Sequence, residues 1–186
     1  MVTTTTTGKI SFLKQDPLYS QEKPYLVLLP PSQDAEIDKS IPRSNLLYEY
    51  HLVEIGDVRG HAEKYQIEEC GFQYFQHKTA VNNLPGLHGD GPTLEDIDTY
   101  KAETEDVLKD FFQATHVVCY DLRIRENVLY ERDEIDLRDP LLREGPAVGA
   151  HTDVTARSGP EMIFNHLSPE DYAKFHSPNY RFRIVK

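Results

Sequence analysis

The sequence predicts one mainly β domain with flanking helices, of jelly-roll type. Three observations favour this fold class. Short strand-like runs recur along the chain, only one long stretch has helical periodicity, and no repeat of about 20–50 residues points to a solenoid or propeller. The 186 residues suit a single domain, because domains usually contain about 100–200 residues. The apolar share of 39% and the charged share of 27% are typical of globular proteins.

The predicted strands are short and rich in aromatic or branched side chains, and the glycine, proline and asparagine clusters between them predict loops. In the clearest strand, residues 116–125, apolar and polar side chains alternate, as expected for a half-buried strand. Residues 1–8, with five consecutive threonines, are predicted to be disordered. The other predicted strands are residues 23–31, 45–55, 70–75, 147–155 and 180–185.

Two helices are predicted from their start signals. Residues 93–113 have apolar side chains at three- and four-residue spacing, with Thr93 as the N-cap and Asp96 placed for a capping box. A second, short helix is predicted at Ser168, where an N-cap serine is followed by a proline and two acidic residues.

Charge and composition exclude several classes of partner. The net charge of −11 argues against nucleic acid and anionic membranes, because both require basic patches. No stretch approaches about 18 apolar residues, no signal peptide is recognised, and no Asn-x-Ser/Thr acceptor occurs. Two cysteines, Cys70 and Cys119, are too few for a disulfide framework. We therefore expect a cytoplasmic protein.

The motif that carries chemistry is His151-Thr152-Asp153. On a strand, His-x-Asp places both side chains on the same face. An imidazole and a carboxylate side by side are two of the three ligands of the facial triad of iron(II) oxygenases. The alternative interpretation is a polar strand end at which Asp153 caps a turn.

Several segments occur in an order and spacing that resemble one family. That succession is similar to the fungal hydroxylase/desaturases related to gibberellin desaturase and to oxygenases of secondary-metabolite clusters. The resemblance covers most of the chain from about Tyr48 onward. The segments are residues 53–60, 71–75, 114–118, 121–125, 150–155 and 180–185.

The resemblance implies a double-stranded β-helix, iron(II) and 2-oxoglutarate as cofactors, and hydroxylation or desaturation of a small secondary metabolite. His151 and Asp153 match the family's proximal metal ligands. In the family, a Trp-Arg pair follows the strand matched by residues 180–185, and a distal metal-binding His and a 2-oxoglutarate-binding Arg come later. Since this chain contains no Trp and stops at Lys186, we expect an incomplete barrel whose third metal ligand is not identified.

His166 and His176 lie downstream of the dyad, and His166, the nearer of the two, is the candidate for that third ligand. An incomplete barrel would expose strand edges, which pair readily with other chains, so a homo-oligomer or a partner subunit is expected. The residues expected to contact a small-molecule substrate are Tyr74, His88, Tyr120 and Arg123.

Two other functions remain open on the sequence. The first is a repurposed, metal-independent enzyme, a cyclase, isomerase or dehydratase, in which His151 and Asp153 act as an acid/base pair. The second is a non-catalytic partner or pseudoenzyme that stabilises an oxygenase subunit or binds a metabolite.

Overall fold

The computed structural model describes residues 5–27, 40–81, 91–130 and 135–186. Contacts within the chain divide it into two compact units. The first comprises Met1–Thr79, Glu126–Arg138 and Gly145–Ala150, and the second comprises Ala80–Arg125, Asp139–Glu144 and His151–Lys186. The single domain that the chain length predicts stays a prediction.

The first unit is built on two antiparallel strands, β1 (Thr5–Leu13) and β2 (Tyr48–Gly56). Their register runs from Thr5 opposite Gly56 to Leu13 opposite Tyr48. β2 confirms the extended structure predicted for residues 45–55. Residues 5–8, expected to be disordered, instead begin β1, because β2 supplies partners for their backbone groups.

Side chains alternate between the two faces of this pair. Lys9 and Ser11 share one face with Tyr50, which lies directly opposite Ser11. On the other face, the ring of Phe12 meets the imidazole of His51 edge-on, with centroids 5.6 Å apart. The two faces of the strand pair therefore differ in their side chains.

The strand predicted for residues 23–31 does not form in its described part. Leu26 makes only an isolated antiparallel bridge to Ser44, and the Val27 N–H donates to the Arg43 carbonyl at 2.7 Å. Pro24 lacks an N–H and so weakens the start of any strand here. The rest of the predicted strand, residues 28–31, lies outside the described residues.

After β2, residues 57–60 lead through a turn in which Gly60 has a φ of 75°. The strand predicted for residues 70–75 is wrong. A one-turn helix, α1 (Ile67–Cys70), occupies its start, and Gly71, with a φ of 76°, ends that helix in the left-handed conformation favoured by glycine. The aromatic rings that suggested a strand pack on one another instead. Phe72 and Tyr74 of that segment contact each other and Tyr65, which lies before it, with centroids 5.2–6.2 Å apart.

The long helix of the second unit confirms the sequence prediction. α2 spans Leu94–Phe112, and Thr93 and Asp96 form the predicted capping box. The Asp96 N–H donates to the Thr93 hydroxyl, while the Asp96 carboxylate accepts from the Thr93 N–H at 2.8 Å. Gln113, with a φ of 50°, ends the helix. Ile97, on the inner face of α2, is 5% exposed.

The predicted strand at residues 116–125 is mostly wrong. Only β3 (Ile124–Arg125) forms, and it pairs in parallel with β4 (Arg143–Glu144). Earlier in the segment, the Cys119 N–H donates to a carboxylate oxygen of Glu105 on α2 at 2.7 Å. A helix side chain therefore takes the place that a neighbouring strand would have in a sheet.

Two short helices follow. α3 (Gly159–Asn165) was not predicted, whereas α4 (Pro169–Phe175) confirms the prediction at Ser168, whose hydroxyl accepts from the Asp171 N–H. Residues 180–185, predicted as a strand, have no strand partner among the described residues. Their side chains pack on helices instead: Phe182 meets Phe164 edge-on at 5.6 Å, and the Arg183 guanidinium lies 4.9 Å from the centre of the Phe112 ring.

Few large side chains are buried in the described parts of the chain. The buried hydrophobic residues there are Ile97, Ile124 and Phe175, whereas Leu52 and Val148 are more than 70% exposed. The described strands form two sheets of two strands each. This arrangement is compatible with the incomplete jelly-roll fold that the sequence predicts, and the described residues contain fewer strands than the alternation of side chains predicts.

Candidate metal centre

His151 and Asp153 lie between Ala150, whose backbone N–H makes a hydrogen bond, and a turn at residues 156–158. The Ala150 N–H donates to the Ser11 carbonyl at 2.8 Å, a strand-like contact within the first unit. The strand predicted for residues 147–155 does not form, because the chain bends at residues 148, 149 and 153 and then enters a turn. In that turn the Ser158 N–H donates to the Thr155 hydroxyl at 3.1 Å, and α3 begins at the next residue.

His151 and Asp153 lie together although they are not on a regular strand. His151 Nε2 is 3.3 Å from Asp153 Oδ1, and about half of each side chain is exposed. Two donors that bind one metal ion at right angles, each at about 2.1 Å, are about 3 Å apart. The separation of Nε2 and Oδ1 therefore suits two ligands of one metal ion, and it equally suits the hydrogen bond between His151 and Asp153 that helps to lower the pKa of Asp153.

Lys186 holds the other oxygen of the same carboxylate. Its Nζ donates to Asp153 Oδ2 at 2.6 Å. This hydrogen bond is the main cause that lowers the pKa of Asp153, and the charge of the ammonium group and the nearby imidazole lower it further. Asp153 is thus a carboxylate at neutral pH, the form in which it can bind a cation or orient an imidazole.

The described residues place His151 and Asp153 together but bring no third metal-binding side chain to them. Among residues 5–27, 40–81, 91–130 and 135–186, no group of three His, Cys, Asp or Glu side chains is placed to hold a metal ion. The fit to iron(II) is therefore partial, and we derive no catalytic step through a metal. The assignment of His151 and Asp153 as ligands stays a prediction.

His166, the candidate third ligand, is engaged elsewhere in the second unit. Its imidazole stacks on the Tyr120 ring, with centroids 4.6 Å apart and planes 25° apart. Among the described residues, His166 does not form a group of three metal-binding side chains with His151 and Asp153. Tyr120 was predicted to contact substrate. In the structure its ring packs against His166, the residue after α3.

Arg123, predicted to contact substrate, lies among carboxylates of the second unit. Its Nε is 3.0 Å from Asp121 Oδ1, and its Nη1 is 3.5 Å from Glu144 Oε1. Arg125 contacts the other oxygen of Glu144 at 3.0 Å, across the β3–β4 pair. The guanidinium group of Arg123 is therefore positioned by protein carboxylates, and its contact with substrate stays a prediction.

The remaining predicted substrate contacts are Tyr74 and His88. Tyr74 belongs to the first unit, in the aromatic cluster with Tyr65 and Phe72, and half of its side chain is exposed. His88 lies outside the described residues. The structure thus brings together His151 and Asp153, adds Lys186 to them, and gives Tyr120 and Arg123 other neighbours.

Sequence reasoning missed Lys186. It is far along the chain from Asp153, and a single lysine at the end of an alternating segment gives no local signal of a contact with the dyad. A tertiary contact of this kind requires knowledge of how residues 180–185 pack, and those residues do not form the predicted strand.

Comparison with known proteins identifies the family. A family model described as "Oxidoreductase/YMDC permease-like domain" matches residues 10–186, so the chain belongs to that family. No curated protein matches the sequence. No helix in the described parts of the chain is long and apolar enough to cross a membrane.

Two solved structures share a fold with this chain. It is similar to an iron and α-ketoglutarate-dependent endoperoxidase, NvfI, in a different conformation, with a TM-score of 0.70 and 20% identity over 95% of this chain and 56% of that one. It is also similar to the W199F variant of NvfI, with a TM-score of 0.54 and 20% identity over 69% of this chain and 44% of the other. The chain therefore has part of the fold of such an enzyme and spans about half its length.

Proposed function

We propose that this protein is an oxidoreductase of the iron(II)/2-oxoglutarate type that hydroxylates or desaturates a small secondary metabolite. The observation that carries the proposal is the 3.3 Å separation of His151 Nε2 and Asp153 Oδ1. The family match and the shared fold support it. The double-stranded β-helix, the fungal desaturase relationship and a cytosolic location are parts of the same proposal.

In this function, His151 and Asp153 would hold iron(II), which supplies oxygen activation when 2-oxoglutarate is bound. The role of this chain's own residues is then positional. Lys186 fixes Asp153 Oδ2, so that Oδ1 stays directed toward the imidazole of His151. Such a contact to a ligating carboxylate is a common means of orienting it.

The test is metal binding together with 2-oxoglutarate consumption. We expect cobalt(II), used as a spectroscopic substitute for iron(II), to bind the wild type, and the iron-loaded protein to form succinate from 2-oxoglutarate. His151→Ala and Asp153→Ala should each weaken cobalt binding by about tenfold or more, since even the partners of metal ligands are worth about 10–100-fold. His61→Ala, which removes a histidine of the first unit, is the matched control.

Absence of cobalt binding and of succinate in the wild type would contradict the oxygenase proposal.

A second candidate function is that of a metal-independent cyclase, isomerase or dehydratase. It is favoured by the contact of Lys186 with Asp153, because a carboxylate held in this way can orient an imidazole for proton transfer. Activity that survives a chelator and is lost in His151→Ala would identify this function.

We also propose that the protein works as a homo-oligomer or with a partner subunit. Exposed apolar side chains such as Leu52 and Val148 support this, and so does the small size of each described sheet, because a two-stranded sheet alone is marginally stable in water. Light scattering during size-exclusion chromatography should give a mass above the 21.4 kDa of one chain. A monodisperse species of that single-chain mass would contradict the proposal.

A further inference from the structure

The outer edge of β2 is open in the described part of the first unit. β1 lies between two neighbours, because Ser11 is opposite Tyr50 of β2 and its carbonyl accepts a hydrogen bond from the Ala150 N–H. β2 has β1 on one side, and no other strand of the described residues pairs with it. In the part of the chain that the structure describes, β2 is therefore the edge strand of this pair.

Two hydrogen bonds show which backbone groups β2 directs outward. The Lys14 N–H donates to the Leu47 carbonyl at 2.8 Å, so the ladder continues past the strand ends with that pair bonded. In an antiparallel pair, bonded residues alternate with residues whose N–H and C=O point away from the partner strand. The Ser11 carbonyl, which points away from β2 to accept from the Ala150 N–H, follows the same alternation. The residues of β2 that direct these groups outward are Tyr48, Tyr50, Leu52 and Glu54.

This edge lacks the features that commonly keep an edge strand from pairing. Protected edges are short, or they contain lysine, proline or a bulge. β2 is nine residues long, it contains no Lys or Pro, and its register with β1 is continuous. Its side chains are also accessible, since Tyr50 is 63% exposed and Leu52 is 77% exposed. An extended strand on this edge would bind the outward backbone groups and cover both side chains.

A second copy of β2 is complementary to this edge. The midpoint of β2, which spans Tyr48–Gly56, is Leu52. Two antiparallel copies related by a two-fold axis at Leu52 overlap along their whole length, and their outward backbone groups face each other. Each Leu52 then packs on its counterpart, and Tyr50 lies opposite Glu54 of the second copy. This register brings no glutamate of β2 opposite another glutamate, because Glu49 lies opposite an isoleucine.

Charge complementarity favours the same register. Lys9 extends from β1 across β2, where its Nζ lies 4.5 Å from the centre of the Tyr50 ring. Lys9 is opposite Leu52, so it shares a face with Tyr50 and Glu54. Because Tyr50 is opposite Glu54 of the second copy, the Lys9 ammonium stands beside that carboxylate. The two-fold axis repeats this pair, and opposite charges placed in this way favour one register over others.

We propose that the outer edge of β2 pairs with the same edge of a second copy of this chain, in antiparallel register about Leu52. The pairing joins two strand pairs into one four-stranded sheet, and sheets of three or more strands are stable where a lone pair is marginal. The inference rests on the homo-oligomer proposed above and names its interface. It is independent of the metal chemistry proposed for His151 and Asp153.

Cross-linking at Leu52 tests the register. In a chain with Cys70→Ser and Cys119→Ser, we expect Leu52→Cys to form an intermolecular disulfide with copper phenanthroline as oxidant. The reason is that bonded antiparallel partners have Cα atoms about 5.5 Å apart, a distance that a disulfide spans. Tyr50→Cys is the matched control, because its two copies lie about 14 Å apart along the strands and should cross-link little. Equal cross-linking at both positions, or none at Leu52, would overturn the register.

Light scattering during size-exclusion chromatography tests the interface in the chain with its own cysteines. We expect the wild type to have twice the 21.4 kDa mass of one chain. Leu52→Lys places two ammonium groups at the two-fold axis and should weaken dimerisation at least about tenfold. Val148→Lys is the matched control, because Val148 is also more than 70% exposed but lies outside β2, and it should leave the dimer intact.

A charge exchange tests the Lys9–Glu54 pair. Glu54→Lys should weaken dimerisation about two- to fivefold, the effect expected for exposed ion pairs, and Lys9→Glu combined with Glu54→Lys should restore it. Failure of the double variant to recover would overturn the assignment of this pair.

The results separate this interface from the oligomer on which it rests. A wild-type oligomer whose mass is unchanged in Leu52→Lys would overturn pairing through β2 and leave the homo-oligomer in place. A wild type with the mass of a single chain would overturn both. Because the Leu52 side chain is largely exposed, Leu52→Lys should keep the circular dichroism spectrum of the wild type, so that loss of the dimer reports the interface and not unfolding.

Discussion

Lys186 donates a hydrogen bond from Nζ to Oδ2 of Asp153 at 2.6 Å, while Oδ1 of the same carboxylate lies 3.3 Å from the imidazole of His151. One carboxylate therefore joins two basic side chains. The contact couples the segment that contains the dyad to the end of the second unit, and it sets the ionisation of the group on which both candidate functions depend.

Replacing Lys186 with methionine should raise the pKa of Asp153 toward its ordinary range, because the hydrogen bond and the positive charge that lower it are both removed. The side-chain carboxyl shift of Asp153, followed by NMR between pH 2 and 6, measures the change. Lys174→Met removes a lysine that lies over the Phe175 ring and should leave the titration of Asp153 as it is in the wild type. An unchanged midpoint in Lys186→Met would show that the contact is not maintained in solution.

The turn after β2 provides a pH-dependent contact. The Arg59 guanidinium and the Arg59 N–H donate to the Asp57 carboxylate and lower its pKa to about 2. Since the pKa is lowered in the folded chain, the stabilisation is fully present above the unfolded pKa of about 3.9 and is lost as the pH falls through about 2. Arg59→Gln should raise the pKa of Asp57 and remove part of that pH dependence.

Urea unfolding of the wild type and of Arg59→Gln at pH 2 and at pH 6 measures this effect. The difference between the two proteins should be larger at pH 6. Because both side chains are at the surface, the contribution is small and screened by salt. A difference that is the same at both pH values would contradict the assignment.

The N-terminus of α2 depends on the Thr93 hydroxyl. Thr93→Ala removes the acceptor for the Asp96 N–H and should destabilise the protein by about 1 kcal/mol, the usual cost of losing such a cap. Thr99→Ala is the matched control, because Thr99 lies on an exposed face inside the same helix and its hydroxyl only donates to the Glu95 carbonyl. We expect Thr99→Ala to be neutral or slightly stabilising in thermal denaturation, because alanine favours helix interiors. Equal losses in both variants would argue against the cap.

A close backbone approach makes Gly145 sensitive to substitution. A Cβ there would lie 2.8 Å from the Val128 carbonyl oxygen, whereas a Cβ on Gly56 would have no atom within 4 Å. Gly145→Ala should therefore cost about 1–3 kcal/mol through overpacking against rigid backbone, and Gly56→Ala should have little effect. Chemical denaturation of both variants tests this contrast, and similar stabilities would show that residues 126–130 and 145 are not in contact.

Local signals in the sequence were sufficient for α2, for α4 and for β2. In α2 the Thr93–Asp96 box, the spacing of apolar residues and the acidic first turn all act within a few residues, so they can be recognised before any tertiary structure is known. The Ser168-Pro169 start of α4 works in the same way. The pairing of His151 with Asp153 was also predictable, because two residues that are two positions apart remain neighbours even where the chain bends.

The predicted strands at residues 70–75, 116–123 and 180–185 failed for a common reason. Alternating apolar residues indicate a strand only if another strand supplies hydrogen-bond partners, and that partner is set by tertiary structure. At Cys119 the partner is the Glu105 carboxylate, and at Phe182 the packing surface is the Phe164 ring.

By itself, the sequence determined the capped helices, the strand that follows residue 47 and the proximity of His151 and Asp153, because each depends on neighbours a few positions away. Tertiary structure alone decided that Lys186 reaches Asp153 and that His166 stacks on Tyr120. It also decided that Ser11 is buried and that its hydroxyl has no hydrogen-bond partner in the described part of the chain. These contacts join residues distant in sequence, and only packing brings such residues within hydrogen-bond distance.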